Sequence, residues 1–324
     1  MQLTRGYVSK LQPDAREEVL RRHGLDAGSL LGVGTEAEVY ALDDDTVIKL
    51  YSDPSREDHL RVLQEFYASL DTRQLPFALP KIGGIDVMSG VLVVREQRID
   101  GLPMDRAIAT RGPSRQFEFV PTYLDTVLSL GEVQVRADIG RYLLFDSDNS
   151  SSVQKSDWYE FVYRLTLDKT TRRRELLCGD IPELGDKLDH LATLSRSGVY
   201  DSSLQLVHGD FLPANILVSN SGEVKGVVDF GGFTMFGDPV YDVALACIFY
   251  DMYGPNAKEA RAFLFDRAVE RLGSQSRGLM FRYAASYALA SCDMYGEEET
   301  MRQDDHYQWA TSLLSEPSLW ESMA

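Results

Sequence analysis

The period of the apolar positions changes several times along this chain, and each change marks an element. Residues 13–23 (PDAREEVLRRH) read as a short charged helix with Pro13 in its first turn. Residues 29–51 (SLLGVGTEAEVYALDDDTVIKLY) are rich in β-branched and apolar positions and are broken by Gly and by DDD. They read as strand, glycine turn, strand, tight turn, strand. Over 56–70 the spacing of Leu60, Leu63, Tyr67 and Leu70 is that of an amphipathic helix. LPFALPKI (75–82) is a proline-punctuated extended stretch, VLVVREQ (91–97) a further apolar strand, and IDGLP (99–103) a natural boundary. From 104 to 200 the pattern is mostly helical, with long candidates at 121–136 and 157–178. Between them lies a polar Ser/Asp loop, 145–157, with little to bury. Residues 204–230 return to β character (LQLVHGD, NILVS, VKGVVDF), and 240–320 are helical again without an internal repeat. The expectation is an α+β, bilobal fold: a small β-rich lobe over 1–98 and a larger, mainly helical lobe over 99–324 with a β-hairpin embedded in it.

Composition fits that picture and narrows the partners. At 324 residues, 44% hydrophobic and 26% charged, the chain can form a real core. Its net charge of −17 argues against nucleic acid or an anionic membrane as partner, since either needs a positive field. Residues 201–324 hold 18 acids and 8 bases, net −10, so the acidity sits mostly in the last part. That permits a cationic small-molecule partner; plain solubility is the competing explanation. Cys178, Cys247 and Cys292 are scattered and form no C-x-x-C pair, so neither a disulfide framework nor a zinc knuckle is expected. The N-terminus shows no apolar signal region, and the longest apolar run, Val243 to Tyr250, is too short to span a bilayer. A cytoplasmic monomer is the expectation.

The strongest chemical signal is HGDFLPANILV (208–218) with VVDFGG (227–232) after it. A strand–loop–strand hairpin of this size brings Asp210, Asn215 and Asp229 into one small space. Two carboxylates and an amide oxygen make a hard oxygen site suited to magnesium, which keeps waters or phosphate oxygens as further ligands. The pattern is that of phosphoryl transfer, with one Asp near the hydroxyl nucleophile and an Asn and a second Asp holding the metal. Loop polar residues serving turns and caps would explain an isolated D-x-x-x-x-N, but not this set. The second signal is GVGTEAEV (32–39), a kinase-type Gly-rich loop in which Ala37 replaces the third glycine. Gly32 and Gly34 let backbone approach phosphates closely, although a lone G-x-G is as often a hairpin turn. Next in order comes Val47–Ile48–Lys49 on the third strand. Lys49 is a cation on an apolar strand and needs a partner; Glu65 on the next helix is the expected one, with Glu57 its rival.

Taken together, GVGTEAEV, VIK, Glu65, HGDFLPAN, DFGG and GDPVYDVA resemble the aminoglycoside phosphotransferase family of antibiotic kinases, over roughly residues 28–300. Within it, SDWYEFV, HGDFLPANILV and VVDFGGFTMFGDPVYDVA look most like the hygromycin B phosphotransferase branch. The resemblance implies a protein-kinase-like fold, magnesium, and ATP (or GTP) as co-substrate. It implies Asp210 as catalytic residue, Asn215 and Asp229 as magnesium ligands, and Lys49 as the phosphate-binding lysine with Glu65 its partner. Gly32 and Gly34 would serve the phosphates, and the backbone of Gln97 and Ile99 at the hinge would read the purine. His208 and Asp242 match structural positions bracing the catalytic loop. Only 13 residues separate Asp229 from Asp242, no A-P-E follows, and Gly209 replaces the Arg of H-R-D. A peptide acceptor is therefore not expected.

The expected reaction is transfer of a γ-phosphate to a hydroxyl of a small cationic molecule, an aminoglycoside-type antibiotic of the hygromycin B kind. The alternatives are a kinase of a macrolide, choline-like metabolite or sugar, and, from another class, a nucleotide-binding pseudokinase scaffold. The presence of Lys49, Asp210, Asn215 and Asp229 tells against the last. Candidate acceptor residues are Asp157 and Glu160 beside Trp158, and Glu297 and Glu298 in GEEETMRQDD. For each of these a solvent-facing or helix-capping role is the plainer reading, and Trp158 reads more readily as core. Phe233, Phe236 and Tyr241 border the pocket or simply pack.

Overall fold

A computed structural model describes residues 11–34, 37–112, 115–135, 158–198, 200, 202–231, 233–295 and 299–323. From the N-terminus the elements are α1 (Pro13–Arg22), β1 (Leu30–Val33), β2 (Ala37–Ala41), β3 (Thr46–Tyr51), α2 (Glu57–Ser69), β4 (Leu70–Asp71), β5 (Ile82–Met88) and β6 (Val91–Gln97). Then come β7 (Leu102–Pro103), α3 (Met104–Arg111), α4 (Val120–Leu130), β8 (Gln134–Val135), α5 (Trp158–Arg172), α6 (Arg174–Asp180) and α7 (Leu184–Ser197). The remainder is β9 (Gln205–Val207), β10 (Ile216–Val218), β11 (Val224–Val227), β12 (Met235–Gly237), α8 (Val240–Phe249), α9 (Ala257–Leu272), α10 (Ser276–Ser291), α11 (Asp305–Leu314) and α12 (Pro317–Glu321).

Packing divides the chain into two units that interleave in sequence. Unit 1 is Met1–Arg111, Val133–Asp138 and Ala214–Gly232; unit 2 is Gly112–Glu132, Ile139–Pro213 and Phe233–Ala324. This departs from the linear division at 98/99: β10 and β11 belong with the N-terminal unit. The reason is pairing. β10 lies between β11 and β7, with Leu217 opposite Pro103 and Val218 opposite Leu102. Ala78 adds a bridge to Gly226.

Unit 1 is built on an antiparallel sheet in the order β1-β2-β3-β6-β5. Its two faces are separated by the alternation of β3 and β6. Ile48, Leu50, Tyr40, Val91 and Val93 point one way and pack with Val19 and Leu20 of α1. Lys49 pairs opposite Val94 and Val47 opposite Glu96, which puts Lys49 and Glu96 on the other face. α2 packs beside β5 with Leu60, Leu63, Phe66 and Tyr67 buried, the face expected from its spacing. Strand β5 extends the proline-punctuated stretch further than expected, because Gly83 and Gly84 mask its alternation and Gly84 sits at a bulge.

Unit 2 is helical around α8, α10 and α5 and carries a two-stranded ribbon of β9 and β12. α8 is buried along nearly its whole length, Tyr241 to Phe249. In the ribbon Met235 faces Val207 and Gly237 faces Gln205. The helix expected over 121–136 stops at Leu130, and Gln134–Val135 instead pairs with Leu70–Asp71. Trp158 is fully buried; its Nε1–H donates to Tyr283 at 2.7 Å, and the Tyr283 hydroxyl donates to Asp238 at 2.7 Å. The three cysteines are free. Among the described residues no helix is long and apolar enough to cross a membrane.

Gly237 is where the ribbon meets the Trp158 ring. A Cβ there would lie 2.1 Å from the indole, so Gly237→Ala is expected to destabilise by about 1–3 kcal/mol or more through overpacking. Denaturant unfolding checks this; a variant as stable as the parent would show that the ring can move aside.

Candidate active site

The loop that carries Asp210 lies in unit 2 and begins where β9 ends. His208 is fully buried, and the Asp242 side chain from the first turn of α8 reaches back to it. Asp242 accepts the backbone N–H of His208 through one oxygen and that of Gly209 through the other, the latter at 2.9 Å. Burial pushes the Asp242 carboxyl up to about 7, against the lowering effect of the two N–H donors. Thr234 donates its hydroxyl to the His208 carbonyl at 3.0 Å, and the Asp210 N–H points at His208 Nδ1 at 3.3 Å. Gly209 has φ +79°, and a Cβ would meet the Phe233 carbonyl oxygen at 2.0 Å. Only glycine fits there. Beyond Asp210, the Tyr123 hydroxyl donates to the Phe211 carbonyl, and the two rings pack 5.3 Å apart. The backbone on both sides of Asp210 is thus tied down, while Asp210 itself is half-buried. Asp242 and Thr234 thus hold the backbone of His208 and Gly209 from two sides.

The second set of residues lies in unit 1. It starts within a turn of 3-10 helix at Pro213–Asn215. Asn215 is 7% exposed, and its carbonyl accepts the Val228 N–H at 2.9 Å, closing the hairpin that presents Asp229. Asp229 is exposed and sits at φ +69°, a left-handed conformation that costs a non-glycine residue energy and that clusters at functional sites. Phe230 is buried and packs on Phe66 and Tyr67 of α2, at 6.0 and 5.7 Å between centroids. Asp229 also acts on Lys49, which burial would discharge but which the charges of Glu96, Tyr51 and Asp229 hold protonated, with its pKa raised.

The lysine's partner is Glu96, not Glu65. Lys49 Nζ lies 2.9 Å from Glu96 Oε1, and the glutamate is buried. Glu65 is exposed on the outer side of α2, because it falls opposite the buried Leu60–Leu63–Tyr67 face on the helical wheel. Its rival Glu57 pairs with Arg61. In place of an acid, α2 brings in Tyr67. Burial and the charges of Glu96 and Asp229 raise its hydroxyl well above the ordinary range, and the Phe230 N–H donates to it. The signal for Glu96 is strand register: a residue two beyond the lysine's cross-strand partner shares its face and lies within reach of a long side chain.

Of the other expected residues, Gly32 is half-buried and Gly34 exposed, with its N–H closing the turn onto the Ala37 carbonyl at 2.8 Å. Gln97 is exposed and donates its N–H to the Lys81 carbonyl at 2.9 Å; the half-buried Ile99 packs where a side chain on Gly226 would have to go. Glu160 is exposed in the first turn of α5. The loop 145–157 with Asp157, and Glu297 and Glu298, lie outside the described residues. Phe236 and Tyr241 are buried, whereas Phe233 is 39% exposed. Among the described residues no three His, Cys, Asp or Glu side chains gather as a metal cage. One carboxylate and one amide oxygen, Asp229 and Asn215, fit a cation that takes its other ligands from phosphate and water, as magnesium does.

Glu96→Gln leaves Lys49 buried beside a neutral group and is expected to weaken nucleotide binding by about tenfold or more, a loss of ~1.4 kcal/mol. Glu65→Gln leaves binding unchanged, and equal effects in titrations of the two variants with nucleotide would reverse the pairing. For Asp242, the folded carboxyl keeps its proton up to about 7, whereas an unfolded one loses it near pH ~4. The folded state therefore binds more protons in this window, and stability falls as pH rises through it. Asp242→Asn removes that slope; unfolding free energies measured across the window, identical in slope for both proteins, would disprove it.

A sequence model described as the Phosphotransferase enzyme family matches residues 28–272. No curated protein matches the chain significantly. Among solved structures, the gentamicin complex of APH(2")-IIa is similar at a TM-score of 0.56 and 16% identity, covering 97% of this chain and 99% of that one. ADP-bound aminoglycoside phosphotransferase APH(2'')-Ib gives 0.55 and 16%, with 94% and 99% covered. The GDP complex of wild-type aminoglycoside 2'-phosphotransferase-IIIa gives 0.53 and 15%, with 94% and 97% covered. At these identities the likeness is one of fold, a kinase-like α+β architecture. The family match spans well over half of the sequence and includes the Gly-rich loop, Lys49, His208–Asn215 and Asp229, so the chain belongs to the phosphotransferase enzyme family and is a small-molecule kinase.

Proposed function

We propose that this kinase transfers the γ-phosphoryl group of ATP or GTP to a hydroxyl of a small cationic acceptor of the aminoglycoside kind. The observation that carries the reading is the Asp242 clamp on the backbone of His208 and Gly209, which fixes Asp210 while leaving it partly open to solvent. A carboxylate held this way is suited to orient an acceptor hydroxyl and to receive its proton. The acceptor oxygen forms the new O–P bond as the bond from the γ-phosphorus to its bridging oxygen breaks. The proton passes to Asp210, and the nucleoside diphosphate leaves. Because the transition state is loose, positioning and charge neutralisation carry most of the acceleration.

Lys49, kept cationic by Glu96, would neutralise phosphate charge, and Gly32 and Gly34 would admit the phosphates close to backbone. The Gln97 carbonyl and Ile99 amide would read the purine. Asn215 and Asp229 would hold magnesium, which supplies positive charge to the phosphate oxygens. The related structures carry ADP or GDP, and one carries gentamicin. A hygromycin B-like acceptor rests on the sequence likeness of the segments around Trp158, His208 and Asp229. The net −10 of residues 201–324 favours a cation.

Incubation with ATP and GTP against gentamicin, kanamycin, streptomycin and hygromycin B, with mass detection of a phosphorylated product, tests this. Asp210→Ala and Asp229→Ala are each expected to lower turnover by about 10²–10⁴-fold while the protein stays folded. Near-normal turnover in either variant would remove the assignment.

A further inference from the structure

Unit 2 exposes an aromatic patch on the side of Asp210. Phe233, Tyr253 and Tyr295 are 39%, 38% and 53% exposed, unusual for residues this large. They are not scattered. Phe233, whose backbone abuts Gly209, lies 6.2 Å from the Tyr287 ring, and Tyr287 lies 6.4 Å from Trp309. Trp309 packs 5.1 Å from His306, which is ringed by Tyr253 at 6.2 Å and Tyr295 at 5.3 Å. The charge of Asp210 acts on the hydroxyls of both Tyr253 and Tyr287, so the patch and this carboxylate share one neighbourhood.

The floor of the patch is polar and incompletely paired. Tyr253 and Ser291 take the two ring nitrogens of His306, at 2.7 and 3.0 Å. Burial lowers His306 to about 4, so its ring is neutral and does not repel a cation. Among the described residues of unit 2, two buried side-chain atoms have no hydrogen-bond partner. One is Trp309 Nε1, in a residue only 7% exposed; the other is Oδ2 of Asp251, two residues before Tyr253. Buried polar atoms are normally paired, and an orphan donor beside an exposed aromatic surface marks a place for a ligand atom. Two of the carboxylates near Tyr253 accept backbone N–H groups, while Asp305 is exposed. Asp304 caps α11 by accepting the N–H groups of His306 and Tyr307, and Asp251 accepts from the Asn256 backbone.

We propose that this patch is the acceptor platform, and that the acceptor is an amphipathic cationic alcohol. Its ammonium centre, shielded by carbon or borne on a ring, would lie against the faces of Tyr253 and Tyr295, which both pack on His306. The proposal rests on the phosphotransferase reading and, among its cationic acceptors, favours a carbon-shielded ammonium over a polyamino sugar. A polyamino sugar needs several uncommitted carboxylates and offers little apolar face. A carbon-shielded ammonium needs aromatic faces and few hydrogen bonds. Asp304, Asp305 and Asp210 add negative charge at Tyr253.

The test uses benzyl(2-hydroxyethyl)dimethylammonium and kanamycin as probes, titrated calorimetrically into the full chain and then assayed for phosphorylated product. The ring-bearing ammonium alcohol is expected to bind. Tyr295→Ala and Tyr253→Ala should each weaken it about tenfold and Tyr295→Phe should retain it; thermal melting should be unchanged in the Tyr295 variants, while Tyr253→Ala, which removes a hydrogen bond to buried His306, should melt lower. In turnover the Ala variants should raise KM with kcat nearly constant. Binding of kanamycin alone, binding of neither probe, or affinities indifferent to the ring substitutions would each overturn the proposal while leaving the kinase reading standing. Failure of the wild-type protein to bind magnesium-ATP would instead remove that reading, and the proposal with it.

Discussion

The buried carboxylate of Asp242 is the constraint on which the loop around Asp210 depends. It is the acidic position on an otherwise apolar, buried helix, and it faces two backbone N–H groups of the His208–Gly209 segment. Removing the acceptor would strand both donors out of water, at about 1–3 kcal/mol each. The segment is held from the other side as well: Thr234 donates to the His208 carbonyl, and Gly209 abuts Phe233 with no room for a Cβ. Helix α8 and the ribbon of β9 and β12 are therefore supports for a few residues of backbone. Asp210 owes its direction to bonds in which its own side chain takes no part.

Unit 1 applies the same logic with the opposite charge. Lys49 on β3 would lose its proton if buried alone, and Glu96 from the neighbouring strand keeps it charged. Placing both on one sheet fixes their geometry by strand pairing, so helix α2 is not needed for the ion pair. α2 serves instead to pack Phe66 and Tyr67 against Phe230, directly behind Asp229. The strained backbone of Asp229 is thus backed by an aromatic cluster.

Much of this is legible from the order of residues along the chain. The Gly-rich turn, Val47–Ile48–Lys49, His208–Asn215 and Asp229 are local patterns whose chemistry is set by residue type and spacing. Glu65 is misleading because it is a helix acid at a family spacing, although Leu60, Leu63 and Tyr67 already place it on the outer face. Glu96 is readable only with the register of β3 and β6, which is a non-local quantity. Strand β12 leaves no mark in the pattern because Met235–Gly237 is short and takes its identity from pairing with Gln205–Val207. The aromatic patch is assembled from residues near 233, 253, 287, 295 and 306–309, and no periodicity along the chain joins them.

The assignment of Ala214–Gly232 to unit 1 has a consequence for how the protein is made. Strand β7 at Leu102–Pro103 pairs with β10, which is synthesised more than a hundred residues later. The N-terminal unit therefore emerges from the ribosome incomplete and closes only after helices α3 to α7 have followed it. The chain also passes between units at five places, since each unit is made of three segments. Neither unit can be exchanged between relatives by cutting at a single linker. Recombination that respects the fold must move the hairpin of Asn215 and Asp229 together with the glycine loop, which makes the two one heritable block.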